Sequence, residues 1–179
     1  NTLTSTNCIT LKALLLSCSV VLILFLWQGN KGFNLWDEGF LWYGVQRVLI
    51  GEVPIRDFMA YDPGRYYWSA ALVSIFGDND IMSVRAAVAV FQALGLFVGL
   101  FLVARSEKLK DRIDIAFWLI TVTTLVVWMF PRHKLFDISI SILLIGILTY
   151  LVRKPTPKRY LIVGLGVGLA AVFGRNHGV

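Results

Sequence analysis

The sequence predicts an all-α polytopic membrane protein with about five transmembrane helices and two interfacial helices in the first external loop. Hydrophobic residues make up 57% of the 179-residue chain, its mean hydropathy is +0.71, and only 16% of its residues are charged. A soluble globular domain rarely has this composition. The apolar residues also form continuous runs, whereas strands of a membrane barrel alternate apolar and polar residues.

Five apolar runs are the predicted membrane-spanning helices. A helix needs about 20 mostly apolar residues to cross the hydrocarbon core, so the shorter runs require flanking residues as well. The runs cover residues 13–27, 86–104, 113–130, 136–152 and 160–173.

Basic residues in the short loops predict the orientation of these helices. Four lysines or arginines lie in residues 105–112, and four more lie in residues 153–159. Both loops and the N-terminus should therefore be cytoplasmic. Residues 28–80, the turn 131–135 and residues 174–178 then share the outer face, which is periplasmic or external. The external segments lack an N-glycosylation sequon, which favours a bacterial inner membrane.

The long outer segment begins with an amphipathic pattern. Trp36, Phe40, Tyr43 and Arg47 recur at helical spacing, which predicts an interfacial helix over residues 37–50. Gly51 follows this helix and should end it.

A second interfacial helix is predicted over residues 65–76. It is too short to span a membrane, and its three consecutive aromatic residues should lie at headgroup depth. Asp80 follows a turn and is the expected N-cap of the next spanning helix.

Two Gly-x-x-x-Gly pairs occur within the predicted spanning helices. These are Gly95 with Gly99 and Gly164 with Gly168, and both pairs predict close packing between helices. A dinucleotide site at residues 164–168 is disfavoured because no strand precedes these glycines.

The adjacent carboxylates of Asp37 and Glu38 are the strongest indication of function. They lie about ten residues after the first apolar run and among aromatic side chains. Charged groups are costly to hold in such surroundings, which favours a binding or catalytic role. The alternative is that they cap the interfacial helix and complement its dipole.

Several short motifs extend this interpretation across nearly the whole chain. They are the Asp-Glu pair, Gly51-Glu-Val-Pro-Ile-Arg-Asp-Phe58, Asp62-Pro-Gly-Arg-Tyr-Tyr-Trp68, Arg85 at the entry to the second spanning helix, Pro131-Arg-His-Lys-Leu-Phe-Asp137 and Gly164-Leu-Gly-Val-Gly-Leu-Ala170. In this order they resemble the C-type membrane glycosyltransferases. The branch of the protein O-mannosyltransferases and aminoarabinose transferases is the most similar.

The resemblance implies transfer of a sugar from a polyprenyl-phosphate donor to a lipid, glycan or protein acceptor at the outer face. It also implies a single inverting displacement, and Asp37 matches the position of the catalytic acid of this family. The chemistry requires a base near the acceptor, a role that suits Asp37. Glu38, Asp57 and Asp62 are expected to bind the acceptor or the sugar.

Cations are expected at the leaving phosphate of such a reaction. Five residues of the predicted outer face are candidates for this contact: Arg85, Arg132, Lys134, Arg175 and His177.

Structural roles remain open for several of these residues. Arg56 and Asp57 can form an ion pair within the loop, and Asp62 before Pro63 is a common turn opener. Arg85 can extend to the membrane interface, and Arg132 and Lys134 can be ordinary turn charges.

Cofactors and other partners are expected to be few. No cofactor is predicted, although a divalent metal remains open, and two isolated histidines do not define a zinc site. Nucleic acid is disfavoured because no groove-binding motif accompanies the net charge of +6.

Two other classes of function remain as alternatives. A non-catalytic lipid-binding or assembly subunit would keep the same helices without needing Asp37. A transporter is disfavoured because the ionisable residues concentrate at the outer edge rather than at the midplane. The chain starts without Met and stops beside a charged motif, so we expect residues 1–179 to be the N-terminal part of a longer transmembrane domain, inactive by itself.

Overall fold

The computed structural model describes residues 2–105, 115–130 and 134–174, and these residues form helices and loops without a β-strand. A π-helical turn, Leu35–Gly39, lies between the first two α-helices. The α-helices are α1 (Thr2–Gln28), α2 (Phe40–Leu49), α3 (Pro63–Phe76), α4 (Ile81–Ala104), α5 (Ile115–Met129), α6 (Leu135–Arg153) and α7 (Pro157–Phe173). The predicted all-α class is therefore confirmed for the described residues.

Three of the described helices are long and apolar enough to cross a membrane. They contain the stretches Cys8–Gln28, Ile81–Ala104 and Leu135–Arg153. In the other two predicted spans the described helices are shorter than these three, with 15 residues in α5 and 17 in α7. At 1.5 Å per residue these two helices are about 22 and 25 Å long, which is less than the hydrocarbon thickness of about 30 Å.

Large apolar side chains cover the outside of the bundle. Leu22 and Ile23 on α1, Leu119 and Ile120 on α5, and Leu165 on α7 are all more than half exposed. Soluble monomers rarely expose apolar surface on this scale. The exposed surface is therefore of the kind that suits contact with lipid.

Helix boundaries in the outer segment follow local capping residues. The Asp80 side chain accepts a hydrogen bond of 2.7 Å from the Ser83 backbone N–H, which confirms Asp80 as the N-cap of α4. Gly51 and Gly77 follow α2 and α3 with positive φ angles of 92° and 83°. Both glycines therefore supply a backbone conformation that other residues rarely adopt.

Two predicted boundaries differ from the structure at the start of the outer helices. The segment predicted as one helix over residues 37–50 is divided into the π-helical turn and α2. The second interfacial helix, α3, begins at Pro63 rather than at residue 65. Proline suits this position because the first turn of a helix does not use the backbone N–H that proline lacks.

Helix α4 is the centre of the bundle and packs against α1, α3, α5 and α6. Leu96 and Leu100 are fully buried in its middle turns. A Cβ atom at Gly95 would lie 2.6 Å from the side chain of Ser139, and one at Gly99 would lie 3.5 Å from Ile142. The pairing advances in the same direction along both helices, so α4 and α6 run parallel.

The prediction that the second glycine pair packs closely against another helix is wrong for the described residues. Gly164 and Gly168 have no heavy atom within 4 Å of an added Cβ, whereas Gly166 lies beneath Ile147. Glycines four residues apart share a helix face, but the sequence does not determine whether another helix covers it.

Alanine at Gly95 and at Gly164 should therefore have opposite effects on stability. Gly95→Ala forces its Cβ against Ser139, including its backbone Cα at 2.9 Å, and we expect a loss of about 1–3 kcal/mol. Gly164→Ala meets nothing and gains helix propensity, so it should be neutral or stabilising by up to about 1 kcal/mol. Unfolding of both variants in mixed micelles measures the difference. Equal stability of the two variants would contradict the close contact of α4 and α6.

Candidate functional site

A pocket of about 580 Å³ lies at the end of the bundle where the segments of the predicted outer face meet. Its size is within the usual range for small-molecule sites. The end of α1, the π-helical turn, the starts of α3, α4 and α6, and the end of α5 all contribute to its wall. The charged lining residues are Asp37, Glu38, Asp62, Arg65 and Arg85.

Four of the residues predicted for the site are therefore brought together. Asp37, Glu38, Asp62 and Arg85 are separated by up to 48 positions in the sequence but line one pocket. Asp57 is not among the lining residues, and Lys134 is exposed immediately before Leu135, which does line the pocket. Arg132, Arg175 and His177 lie outside the described residues.

Asp37 is held at the start of the outer segment by Asn34. The Asn34 side-chain oxygen accepts hydrogen bonds from the backbone N–H groups of Trp36 (3.0 Å) and Asp37 (3.4 Å). Because the oxygen faces the backbone, the Asn34 amide nitrogen can donate to the Asp37 carboxylate at 2.5 Å. The N-cap of this turn is therefore Asn34, while Asp37 is exposed at the pocket.

Glu38 connects the same turn to helix α4. Its carboxylate accepts the Asn34 backbone N–H at 3.1 Å and forms a bidentate pair with Arg85, with N–O distances of 2.7 and 3.0 Å. The Arg85 and Glu38 side chains are only 8% and 14% exposed. Arg85 also donates to the backbone oxygens of Gly29 and Gly32. This pair therefore fixes the loop after α1 against the first turns of α4.

Arg65 is a second organising residue, which was not among the residues predicted for the site. Its guanidinium contacts the carboxylates of Asp62 at 3.0 Å and Asp137 at 2.6 Å. It also donates to the Phe173 backbone oxygen at 2.7 Å and lies 5.7 Å from the ring centre of Phe136. Arg65 therefore joins the start of α3 to the start of α6 and the end of α7.

A sequence signal for this connection exists, although its partners are far apart. Arg65 lies in a predicted interfacial helix, and Asp137 lies at the start of a predicted span. Each charge requires a partner near a membrane. The sequence pattern therefore indicates that Arg65 and Asp137 each need a partner of opposite charge, but it does not identify that partner.

Asp57 belongs to a loop contact apart from the pocket. Its carboxylate accepts hydrogen bonds from Arg56 at 2.7 and 2.9 Å and from the Val53 backbone N–H at 2.8 Å. These bonds lower the pKa of Asp57 to about 2, and the hydrogen bond with Arg56 has the largest effect. The geometry is that of the loop ion pair, which was the structural alternative for this residue.

Aromatic rings form much of the pocket wall on the side of α2 and α3. Phe40 contacts Tyr61 and Tyr66, with ring centres 6.0 and 6.4 Å apart. Burial raises the pKa of Tyr66 to about 12, so its hydroxyl stays neutral at physiological pH. Helices α1 and α5 add apolar side chains to the lining, among them Phe25, Val126 and Phe130.

The described part of the pocket combines charged, polar and apolar groups, a composition that suits an amphiphilic ligand. Carboxylates and the phenols of two tyrosines line it together with aliphatic and aromatic side chains. Both lining arginines already contact carboxylates. Within the described ranges, no group of three or more His, Cys, Asp or Glu side chains forms a possible metal site.

Comparison with protein-family models, with curated proteins and with solved structures gives no match to this chain.

Proposed function

We propose that the protein is a membrane glycosyltransferase that moves a sugar from a polyprenyl-phosphate donor to an acceptor at the outer face. The observation that carries the proposal is that Asp37 lines an amphiphilic pocket of about 580 Å³ at one end of a bundle with three helices long enough to span a membrane. The order of motifs that resembles the C-type glycosyltransferases supports the same activity.

The proposed reaction is a single displacement at the anomeric carbon. The acceptor hydroxyl or amine attacks this carbon, and the bond between the carbon and the phosphate oxygen breaks. Asp37 takes the proton of the acceptor, and the polyprenyl phosphate leaves with the electron pair. The acceptor can be a lipid, glycan or protein, since each can supply such a nucleophile.

The donor lipid has an apolar surface to follow. The pocket lining includes Leu24 and Phe25 of α1 and Val126 and Phe130 of α5. We propose that the first isoprene units lie along these four side chains, because they are apolar and adjoin the apolar exterior of both helices.

The phosphate requires cations that are not already bound to carboxylates. Arg85 would have to leave Glu38, which is costly for a buried pair. We therefore propose that Lys134, which adjoins the pocket and is exposed, binds the phosphate together with Arg132, Arg175 and His177. In this proposal Arg85 acts by positioning the turn that carries Asp37.

The proposed membrane arrangement has five spans, with α2 and α3 at the interface of a bacterial inner membrane. The first external segment, α2, α3 and the pocket then face the periplasm. The contacts of Arg65 with Asp137 and Phe173 support this arrangement, because they join the first outer segment to the predicted outer ends of two spans.

Thiol labelling of intact cells tests the proposed face. In a background without Cys8 and Cys18, cysteine at the exposed positions Asn30 or Asp78 should react with an impermeant reagent. Cysteine at Lys154, which is exposed at the opposite end of α6, should react only after the membrane is opened. Labelling at Lys154 but not at Asn30 in sealed cells would contradict the proposed reaction face, and a periplasmic transferase with it.

A further inference from the structure

Gln92 is a polar side chain and the lining residue of α4 furthest from the start of that helix, a part of the pocket that we call its floor. It lies in the middle of α4, is 9% exposed and lines the pocket together with Val88 and Ala89. Its neighbours on the adjoining turns are apolar, and Leu96 one turn further is fully buried. An amide in these surroundings requires a hydrogen-bond partner.

The protein itself does not supply this partner within the described ranges. The side chains of Glu38, Arg65 and Arg85 have hydrogen bonds inside the pocket, but the Gln92 amide has none. The polar atoms of the Gln92 amide are not completely enclosed by protein. Because Gln92 lines the pocket, its amide reaches the open space there. A ligand in the pocket can therefore bond to it.

Position along α4 gives the depth at which this ligand group must lie. Gln92 follows Arg85 by seven residues, which is two helical turns or about 10 Å. Arg85 holds Glu38, the neighbour of Asp37, so Gln92 lies two turns further along α4 than the arginine that positions the turn of Asp37. A wall of about 10 Å between these two positions accommodates one sugar ring.

We infer that Gln92 is a specificity-determining residue that hydrogen-bonds a hydroxyl group of the donor sugar. A neutral amide both donates and accepts hydrogen bonds, which suits a hydroxyl better than a phosphate or a hydrocarbon chain. The rings of Phe40, Tyr61 and Tyr66 on the adjoining wall offer faces on which a sugar ring can pack. The inference rests on the proposed function and adds which part of the donor reaches the pocket floor.

Binding of two lipid probes to the native, full-length protein tests the role of Gln92. One probe is polyprenyl phosphate, and the other is the same lipid carrying the pentose or hexose that binds most tightly in a panel. Wild-type protein should bind the sugar-bearing lipid more tightly. Gln92→Leu keeps a similar volume and removes the amide, so it should reduce this sugar-dependent gain about tenfold or more. Its affinity for polyprenyl phosphate should stay unchanged, which also shows that the variant is folded.

Gln46→Leu is the control, because Gln46 lies on α2 outside the pocket and bonds to Asn79. The control should keep the full sugar-dependent gain. An unchanged gain in Gln92→Leu, or an equal loss of affinity for both lipids, would overturn the role of Gln92 while leaving the glycosyltransferase in place. Binding of neither lipid by wild-type protein would instead contradict the proposed function, and the inference would fail with it.

Discussion

Asparagine at position 37 should lower sugar transfer by about a hundredfold or more, with normal folding. Losing a positioned general base typically costs about two to four orders of magnitude in rate. Asn34, rather than Asp37, accepts the backbone hydrogen bonds that cap the turn, so Asp37→Asn removes the ionisable group and keeps the cap. Transfer rates and thermal unfolding of the full-length protein measure the two effects separately.

Asp78→Asn is the matched control for this substitution. Asp78 is exposed in the turn before α4 and does not line the pocket, so this variant should keep wild-type transfer. Wild-type turnover with asparagine at position 37 would exclude Asp37 as the base. The helical architecture would be unaffected by that result.

Arg85→Met should lower the free energy of unfolding more than any other substitution proposed for this protein. Arg85→Met leaves the Glu38 carboxylate, which is 14% exposed, without the guanidinium that neutralises it. It also removes the bonds to the Gly29 and Gly32 backbone oxygens. Breaking a buried pair from one side costs about 3–5 kcal/mol, which we expect in the free energy of unfolding in mixed micelles.

Two further variants separate the buried pair from a general effect of losing an arginine. Arg56→Met breaks an exposed pair with Asp57 and should change stability little. Adding Glu38→Gln to Arg85→Met removes the unpaired charge and should recover part of the lost stability. Equal losses for Arg85→Met and Arg56→Met would contradict the buried pair as the anchor of the first external segment.

Local sequence patterns predicted the helices and several of their ends. The apolar runs marked α1, α4, α5, α6 and α7, because continuous apolar stretches of this length are specific to long helices. Asp80 and Gly51 marked helix ends, because capping depends on residues within one turn. Helix α1 begins at Thr2, before the predicted apolar run 13–27, and its first turns were not predicted because they are polar.

The organisation of the pocket was only partly predictable. The adjacent acids indicated the candidate site, and the ion pair of Arg56 with Asp57 was one of the two alternatives for Asp57. The sequence did not show that Glu38 bonds to Arg85. Arg65 was overlooked because its partner Asp137 is 72 residues away. Periodicity and capping depend on neighbouring residues, whereas the pairs of Glu38 with Arg85 and of Arg65 with Asp137 depend on how distant helices pack.

Transfer of a labelled sugar in proteoliposomes tests the central claim most directly. The native, full-length protein is supplied with a panel of radiolabelled polyprenyl-phosphate sugars and with lipid, glycan and protein acceptors. We expect one donor to lose its sugar to an acceptor, with release of polyprenyl phosphate in equal amount by wild-type protein and about a hundredfold less by Asp37→Asn. A wild-type protein that binds these donors but leaves all of them intact would contradict the enzyme and favour a lipid-binding subunit.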